Sequence, residues 1–580
     1  MEQNNEVVIT EASRMKQMWG WWRAKLDMAA KSPWYASYLL RRFYELMKAL
    51  KPSKQLVAST VTGAALLVGS IAMNPAPAQA AGITVNTTDG GAPVNDGKCS
   101  LNEAIIASYI NAQLFGVVAG ECAAGGVGSD TIDLTNVGGA TITLTADLNA
   151  NNTAAGEDMV FNGPGVANLT IDGVAGGFLT IRSTGAAKNI TINGLTITGA
   201  KYDGVYATGS ITVTNSTISG NGFAGVKAAK NATVTGSTIS GNGLAILPVP
   251  AAIAAVDNVT VTDSTVSGNK HSGIIASNGN ATVTGSTITG NKYNGVKAQT
   301  DVTVTNSTVS GTVTGDGVNA TAGNVSVTNS TISANQKQGV NAINGNASVT
   351  NSTVSGNTLN GVRGGNNTTV TNSTISGNGT IGVFTFNNDV TVINSTITGN
   401  TTQGVYTTNA DAGAAVITLK NSLIVGNTGK DVDCAAAGAT LASNGKNLIK
   451  TQAGAACTMA SEVTALAVAS IMGPLANNGG STETHALVAA ASNPAVNKGL
   501  DTDSPGATDQ RGQARIQGGT IDIGAFESAF ADVAKAVGGV AEFITPPVND
   551  GVAWRVVGMM GAGLAMGLGV LGLSRAKKTE

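Results

Sequence analysis

Nine Gly-Val or Gly-Ile pairs recur along the middle of the 580-residue sequence, and eight of the nine are followed by an aromatic, cationic or amide residue. The nine followers are Tyr206, Lys227, Ile275, Lys297, Asn319, Asn341, Arg363, Phe384 and Tyr406. Rings and cations repeated at one position can hold an extended ligand such as a polysaccharide by stacking and hydrogen bonding. Tyr206, Lys227, Lys297, Arg363, Phe384 and Tyr406 are therefore the candidate ligand-binding residues, with ordinary solvated surface as the plainer reading of the same row. Glycosidic hydrolysis needs two carboxyl groups held close together. Between positions 190 and 430 the carboxylates are Asp203, Asp257, Asp263, Asp301, Asp316, Asp389 and Asp411, which fall at unrelated points of their repeats. No catalytic residue is assigned. With only His271 and His485 as histidines, neither a metal nor a cofactor is expected.

The unit that positions this row is a repeat. Ile197, Ile218, Ile239, Val266, Ile288, Val309, Ile332, Val354, Ile375, Ile397 and Ile424 form a ladder whose gaps are 21 to 23 residues, apart from two of 27. A second ladder, from Ile192 and Val213 to Val392 and Leu419, lies five residues upstream, and the valine of each Gly-Val pair makes a third. Three short β-branched segments per repeat, flanked by Thr, Ser and Asn, describe a coil of three strands. Between the first two ladders stands Gly, Asn or Asp, as in Gly194, Asn215 and Asp263, the residues that bend a chain through positive φ at low cost. Stacked coils pair their strands in parallel with right-handed crossovers, so the expected fold is all-β, a right-handed parallel β-helix of about 22 residues per coil. Its extra length in the two 27-residue repeats is expected as loops, at 244–256 and 407–415.

The two ends differ from the body. Residues 1–55 carry ten Lys or Arg against five Asp or Glu, with Trp19, Trp21, Trp22 and Trp34 among them. An apolar stretch at 56–72 and Ala78-Gln79-Ala80 follow, which together read as a long basic leader with a signal or first membrane segment over 1–80. Beyond Pro546-Pro547 and a linker over 531–555, an uncharged stretch at 556–573 and a basic tail read as a C-terminal membrane anchor. From 81 to 554 there are 19 Lys or Arg against 29 Asp or Glu, a net of −10, so nucleic acid is not an expected partner. In an exported protein, Cys99 with Cys122 and Cys434 with Cys457, each 23 residues apart, are expected as disulfides joining neighbouring coils.

Two segments outside the ladders carry a resemblance. Cys99-Ser100-Leu101-Asn102-Glu103-Ala104-Ile105 and Gly128-Ser129-Asp130-Thr131-Ile132, within 81–135, resemble the CSLREA domain at the start of bacterial surface β-helix proteins, with Asn102 in place of its arginine. Gly473-Pro474-Leu475-Ala476-Asn477-Asn478-Gly479-Gly480, Asp509-Gln510-Arg511-Gly512 and Asp522-Ile523-Gly524-Ala525-Phe526-Glu527, within 431–530, resemble the choice-of-anchor Q domain. The resemblance brackets the repeats of 136–430 and implies an exported, envelope-attached protein. Read for structure, Leu101, Ala104 and Ile105 suit a helix capping the coil end, His485 a hydrogen-bonded structural role, and Arg511 with Asp522 a tie between terminal coils. The expected function is a non-catalytic envelope β-helix held by its C-terminal helix in the membrane, for adhesion or surface structure, with a polysaccharide or another cell's surface as partner. Two alternatives stand: a polysaccharide-active lyase or hydrolase, and an ice-binding solenoid. The last rests on paired threonine rows such as Thr212 with Thr214 and Thr233 with Thr235, broken at Ser326, Ser348 and Ile393.

Overall fold

The computed structural model describes residues 81–530, apart from 116–119, 127, 149–157, 175–176, 179, 184–187, 244–250, 409–414, 435–438, 454–463 and 504–505. The leader and both expected membrane segments lie outside those residues, and no helix among the described residues is long and apolar enough to cross a membrane. One coil comprises the strands Ile211–Thr214, Thr217–Ser219 and Val226–Ala228. Equivalent strands pair in parallel with no slip, as Val213↔Val234, Ile218↔Ile239 and Val226↔Ile253, and build three sheets of 15, 14 and 13 strands. All three apolar ladders face inward and are buried. The first sheet starts at Gly82–Thr84 and Asp130–Asp133, so the N-terminal cap supplies rungs of the same stack. In the first 27-residue repeat the expected loop is partly a strand, Ala251–Ala255, whose Ile253 fills the third ladder.

Each bend has the backbone its residue suggested: Asn215, Asp263, Asn306, Asn329, Asn351, Asn372, Asn394 and Asn421 lie at φ between 46° and 52°. The next corner holds a feature that the ladders did not reveal. Asn221, Asn242, Asn269 and Asn291 are buried and linked amide to amide at 2.8–3.0 Å, and Asn335, Asn357, Asn378, Asn400 and Asn427 repeat the chain beyond an interruption at Thr312. Each Nδ2 also donates to a carbonyl one coil back, as Asn357 does to Ile332, so buried amides are satisfied along the axis. The recurrent glycine is explained by this packing: a Cβ at Gly339 would lie 2.6 Å from Asn357 Nδ2 and 2.7 Å from Val354 Cγ1.

At the N-terminal end, α1 (Leu101–Ile110) buries Leu101, Ala104, Ile105 and Ala107, as the sequence suggested. Ser100 and Glu103 form a reciprocal capping box, and the buried Asn102 donates to the carbonyls of Gly91 and Asp147. Cys99 and Cys122 are disulfide-bonded with Cα atoms 4.6 Å apart. The sequence predicts a bridge between neighbouring coils; instead the pair closes the excursion between the strands Gly82–Thr84 and Asp130–Asp133 that contains α1. Replacing both by serine should therefore lower stability by about 3 kcal/mol, read as a drop in thermal midpoint without loss of fold. Cys434 is also disulfide-bonded, and its expected partner Cys457 lies outside the described residues.

After the last coil the chain turns back. The described residues of 464–530, with the antiparallel pair Met472–Ala476 and Thr484–Leu487, lie on the outer face of the second sheet. Gln510 bonds Thr353 and Thr374, His485 Nε2 lies 2.9 Å from Ser376 Oγ, Ala525 N donates to Thr396 Oγ1, and Arg515 bonds Asn372 and the Asn394 carbonyl. An apolar cluster of Leu423, Val425, Leu448, Ile471, Met472, Val496 and Ile523 completes the contact. His485 is structural, held also by the Gly473 carbonyl at 2.8 Å. Arg511 and Asp522 do not tie coils together: Arg511 pairs with Asp509 at 2.7 Å, and Asp522 accepts from Asn497 and Ser528 within the returning segment.

A buried carboxylate gives this segment a pH dependence. Glu527 is 1% exposed; burial, aided by the Asp522 charge, pushes its carboxyl from 4.5 up to about 8, against hydrogen bonding from Asp522 N and the pull of Arg515. The folded protein thus holds a proton that the unfolded chain releases. Its contribution is whole below about 4.5 and is lost as pH rises through about 8. Burial raises Asp522 as well, which acts in the same direction. Proteolysis of 464–530 should accordingly be faster at alkaline than at mildly acidic pH, and Glu527→Gln should flatten that dependence.

Candidate ligand-binding face

The third sheet brings all six candidate residues into one outer column. Its register runs Arg182↔Tyr206, Tyr206↔Lys227, Lys227↔Ala254, Ala254↔Ile275 and Ile275↔Lys297, and continues through Asn319, Asn341, Arg363, Phe384 and Tyr406 to Asp433. Ala254, Arg182 and Asp433 were not read from the sequence, because none follows a Gly-Val or Gly-Ile pair. The column is also less exposed than its outward register implied. Asn319, Asn341 and Phe384 are buried, and Tyr206, Lys227, Lys297, Arg363 and Tyr406 are half-buried, since rings and long stems lie along the sheet over their neighbours.

Aromatic rings stand one rung in from each end. At one end Arg182 Cζ lies 4.9 Å and Lys227 Nζ 5.7 Å from the Tyr206 ring centroid. Lys227 also faces Asp203 at 3.9 Å; burial raises the Asp203 carboxyl, and the Lys227 charge opposes that rise. At the other end Phe384 and Tyr406 stack with centroids 5.9 Å apart and planes inclined by 16°. Between them is a polar network. Asp316 Oδ2 accepts from Asn319 Nδ2 at 2.7 Å and Asn341 Nδ2 at 2.9 Å, its Oδ1 accepts from Gln338 N, and Arg363 donates to Asn341 Oδ1 at 2.8 Å. Burial lowers the Arg363 pKa, and the nearby Asp316 charge counters it.

A second aromatic column borders the first, and the sequence reading passed over it. Tyr202, Phe223, His271 and Tyr293 each precede a member of the first column by four residues. Tyr202 and Phe223 lie 5.1 Å apart, His271 and Tyr293 6.1 Å, and Lys201 and Lys292 stand over the Tyr202 and Tyr293 rings. Tyr202 and Tyr293 are exposed. The imidazole of His271 is held below its ordinary pKa by burial and by the Lys292 charge. The signal was the repeat phase: aromatics at one fixed offset from the glycine.

No group of three or more His, Cys, Asp or Glu among the described residues could hold a metal ion. On the first sheet the threonine pairs do stack in register, as Thr233↔Thr260 and Thr235↔Thr262, with Ser326, Ser348 and Ile393 in the same rows.

The family model described as the right-handed β-helix region matches residues 158–309 and 296–464, together more than half of the chain. No curated protein matches the sequence. Among solved structures, pectate lyase Pel9A is similar at 14% identity over 77% of this chain and 97% of its own, with a TM-score of 0.29. The A-module of the mannuronan C-5 epimerase AlgE4 of Azotobacter vinelandii is similar at 14% identity over 63% of this chain and 94% of its own, with a TM-score of 0.32. The corresponding module of AlgE6 from the same organism is at 12% identity, 63% and 97% coverage, and a TM-score of 0.31. On the family match and its three-sheet architecture, the chain belongs to the right-handed β-helix family.

Proposed function

We propose that the protein is a non-catalytic β-helix of the cell envelope, displayed on a membrane anchor, that binds an extended glycan along its third sheet. The observation that carries the reading is the pair of parallel columns, in which rings recur beside cations over many rungs in register. A sugar chain is recognised by rings that cover its apolar faces and by polar groups that meet its hydroxyls. Envelope display is supported by the basic leader, the apolar stretches at 56–72 and 556–573, and the CSLREA-like and choice-of-anchor-like motifs.

The test is a glycan array probed with the full-length protein in detergent, followed by Tyr206→Ser and Tyr406→Ser. Each variant should fold normally and bind the selected glycan about fivefold more weakly, because each removes a stacking platform worth roughly 1 kcal/mol. Unchanged affinity in both would reduce the column to plain surface. A polysaccharide-active enzyme is the second reading, favoured by one observation: the His271 imidazole, a group able to exchange protons, lies in the aromatic column beside Tyr293. Turnover of any glycan by the protein, lost in His271→Ala, would establish that reading in place of the first.

A further inference from the structure

We infer that the chain is cut between Ala80 and Ala81, and that the α-ammonium so created pairs with the buried Asp130 and locks the N-terminal cap onto the first rung. The inference rests on the envelope reading above, through the leader of 1–80, and is independent of glycan binding.

Ala81 N donates to Asp130 Oδ1 at 2.9 Å, and the Ala81 carbonyl accepts from Thr131 N at 2.9 Å, so the nitrogen is fixed by the ladder that starts the first sheet. Gly126 N reaches the same carboxylate oxygen at 3.0 Å. Asp130 is 0% exposed, and its other oxygen, Oδ2, makes no hydrogen bond. A Cβ at Gly125 would lie 2.7 Å from Oδ2, so the excursion that carries α1 packs directly over it. A buried carboxylate with an idle oxygen costs stability unless a cation stands beside it.

Side chains of the cap do not supply that cation. Residues 81–134 carry the carboxylates Asp89, Asp96, Glu103, Glu121, Asp130 and Asp133 against a single basic side chain, Lys98. Lys98 lies 3.9 Å from Asp96, and the next basic residue along the chain is Arg182. Among the described residues no Lys, Arg or His stands within ion-pair distance of Asp130. The positive group is latent in the main chain instead: the nitrogen already bonded to Asp130 becomes charged when the peptide bond before it is broken.

The sequence places a cut at that bond. Ala78-Gln79-Ala80 is a small-x-small pattern behind an apolar stretch, the signal read by peptidases that process exported chains, and it leaves Ala81 as the first residue kept. Water is the co-reactant. The bond from the Ala80 carbonyl carbon to the Ala81 nitrogen breaks, that carbon takes the oxygen of water and leaves as a carboxylate, and both hydrogens of the water end on the nitrogen. A peptide nitrogen offers one hydrogen and no charge, whereas the ammonium keeps its bond to Oδ1 and adds charge and further donors for Oδ2. Cleavage is thus the step that completes the cap.

The test expresses the full-length chain in a bacterium, beside a form whose cleavage is blocked by Ala78→Leu with Ala80→Leu, and reads the N-terminus of each by mass spectrometry. The processed chain should begin at Ala81, and its α-amine should be acylated at least about tenfold more slowly in the folded protein than after denaturation. Asp130→Asn should speed hydrogen exchange at Thr131 N and Val85 N by about a hundredfold in the processed protein, and by far less in the blocked form, which has no ammonium to lose. The amine measurement needs no change at Asp130 and decides the matter even where that variant misfolds. A processed chain that begins at any other residue, an exported chain that keeps its leader, an α-amine as reactive folded as denatured, or an equal effect of Asp130→Asn in both forms overturns the inference while leaving envelope display in place. A chain that stays in the cytoplasm with its leader intact overturns the envelope reading itself, and the inference with it.

Discussion

Ile332→Asp should collapse the stack around position 332, with a loss of several kcal/mol. Ile332 is 0% exposed and is paired in the second sheet with Val309 on one side and Val354 on the other. Its Cγ2 lies 2.8 Å from where a Cβ on Gly317 would stand, so the interior there has no slack. A carboxyl group in that space has neither water nor a cation to meet it, and its protonated form still lacks a partner. Because each coil touches only its neighbours, damage to one coil splits the solenoid into two shorter ones. Thermal unfolding should show a lower midpoint with a broadened or divided transition, and limited proteolysis should cut near the substituted coil. Ile332→Val, which keeps the chemistry and removes one methylene, should cost about 1 kcal/mol. A normal melting curve for the aspartate variant would mean that the inward register is wrong.

Arg515→Ala should detach the returning segment without unfolding the coils. The arginine is 2% exposed and bonds Asn372 and the carbonyls of Asn394 and Gly524, so one side chain joins two coils to the segment that covers them. Its NH1 lies 3.9 Å from Glu527. Truncation removes those bonds and leaves the buried Asp522 and Glu527 with less compensation, a cost of about 3 kcal/mol. Hydrogen exchange should quicken across 464–530 and along the outer edge of Thr353–Ser355 and Thr374–Ser376, while strands such as Val302–Thr305 keep their protection. Uniform protection in the variant would show that the apolar cluster around Leu423 and Ile471 holds the segment alone.

What could be read from the sequence was what repeats. The ladders, the left-handed bends at Asn215 and its equivalents, and the column from Tyr206 to Tyr406 all follow from a period near 22, since stacking converts one sequence phase into one line in space. The buried asparagine chain from Asn221 to Asn427 was nearly as periodic, as Gly-Asn after the second strand except at Ala334-Asn335 and Gly311-Thr312, but a polar residue beside a glycine suggests an exposed turn, and its burial follows only once neighbouring coils supply the partners. The same holds for Tyr202, Phe223, His271 and Tyr293. What does not repeat was harder to read. Ala251–Ala255 is a strand because its neighbours Val226–Ala228 and Ser272–Ala276 offer open edges on both sides, not because its own residues prefer one. Arg511 was assigned the role that Arg515 performs, because nothing in the local sequence distinguishes an arginine that folds onto its own segment from one that reaches across 121 residues to Asn394. Cys99 and Cys122 show the limit of spacing: 23 residues matched one coil, but α1 takes up the length.

The covered and uncovered stretches of the second sheet are built from nearly the same words. Asn351-Ser352-Thr353-Val354-Ser355 and Asn372-Ser373-Thr374-Ile375-Ser376 lie beneath the returning segment, while Asn306-Ser307-Thr308-Val309-Ser310 and Asn329-Ser330-Thr331-Ile332-Ser333 do not. Hydroxyls and amides alone would let that segment settle one coil too early. Leu423 and Val425 break the tie: they stand where earlier coils carry threonine and serine or threonine, and their apolar side chains receive Met472, Leu487 and Ile523. The seat is therefore measured from the C-terminal end of the stack and is indifferent to how many coils precede it. Gene duplication or loss of a whole coil N-terminal to Thr331 would lengthen or shorten the protein by one rung while leaving both ends as they are, so reach is a quantity that this lineage can change in single steps without having to evolve a new fold.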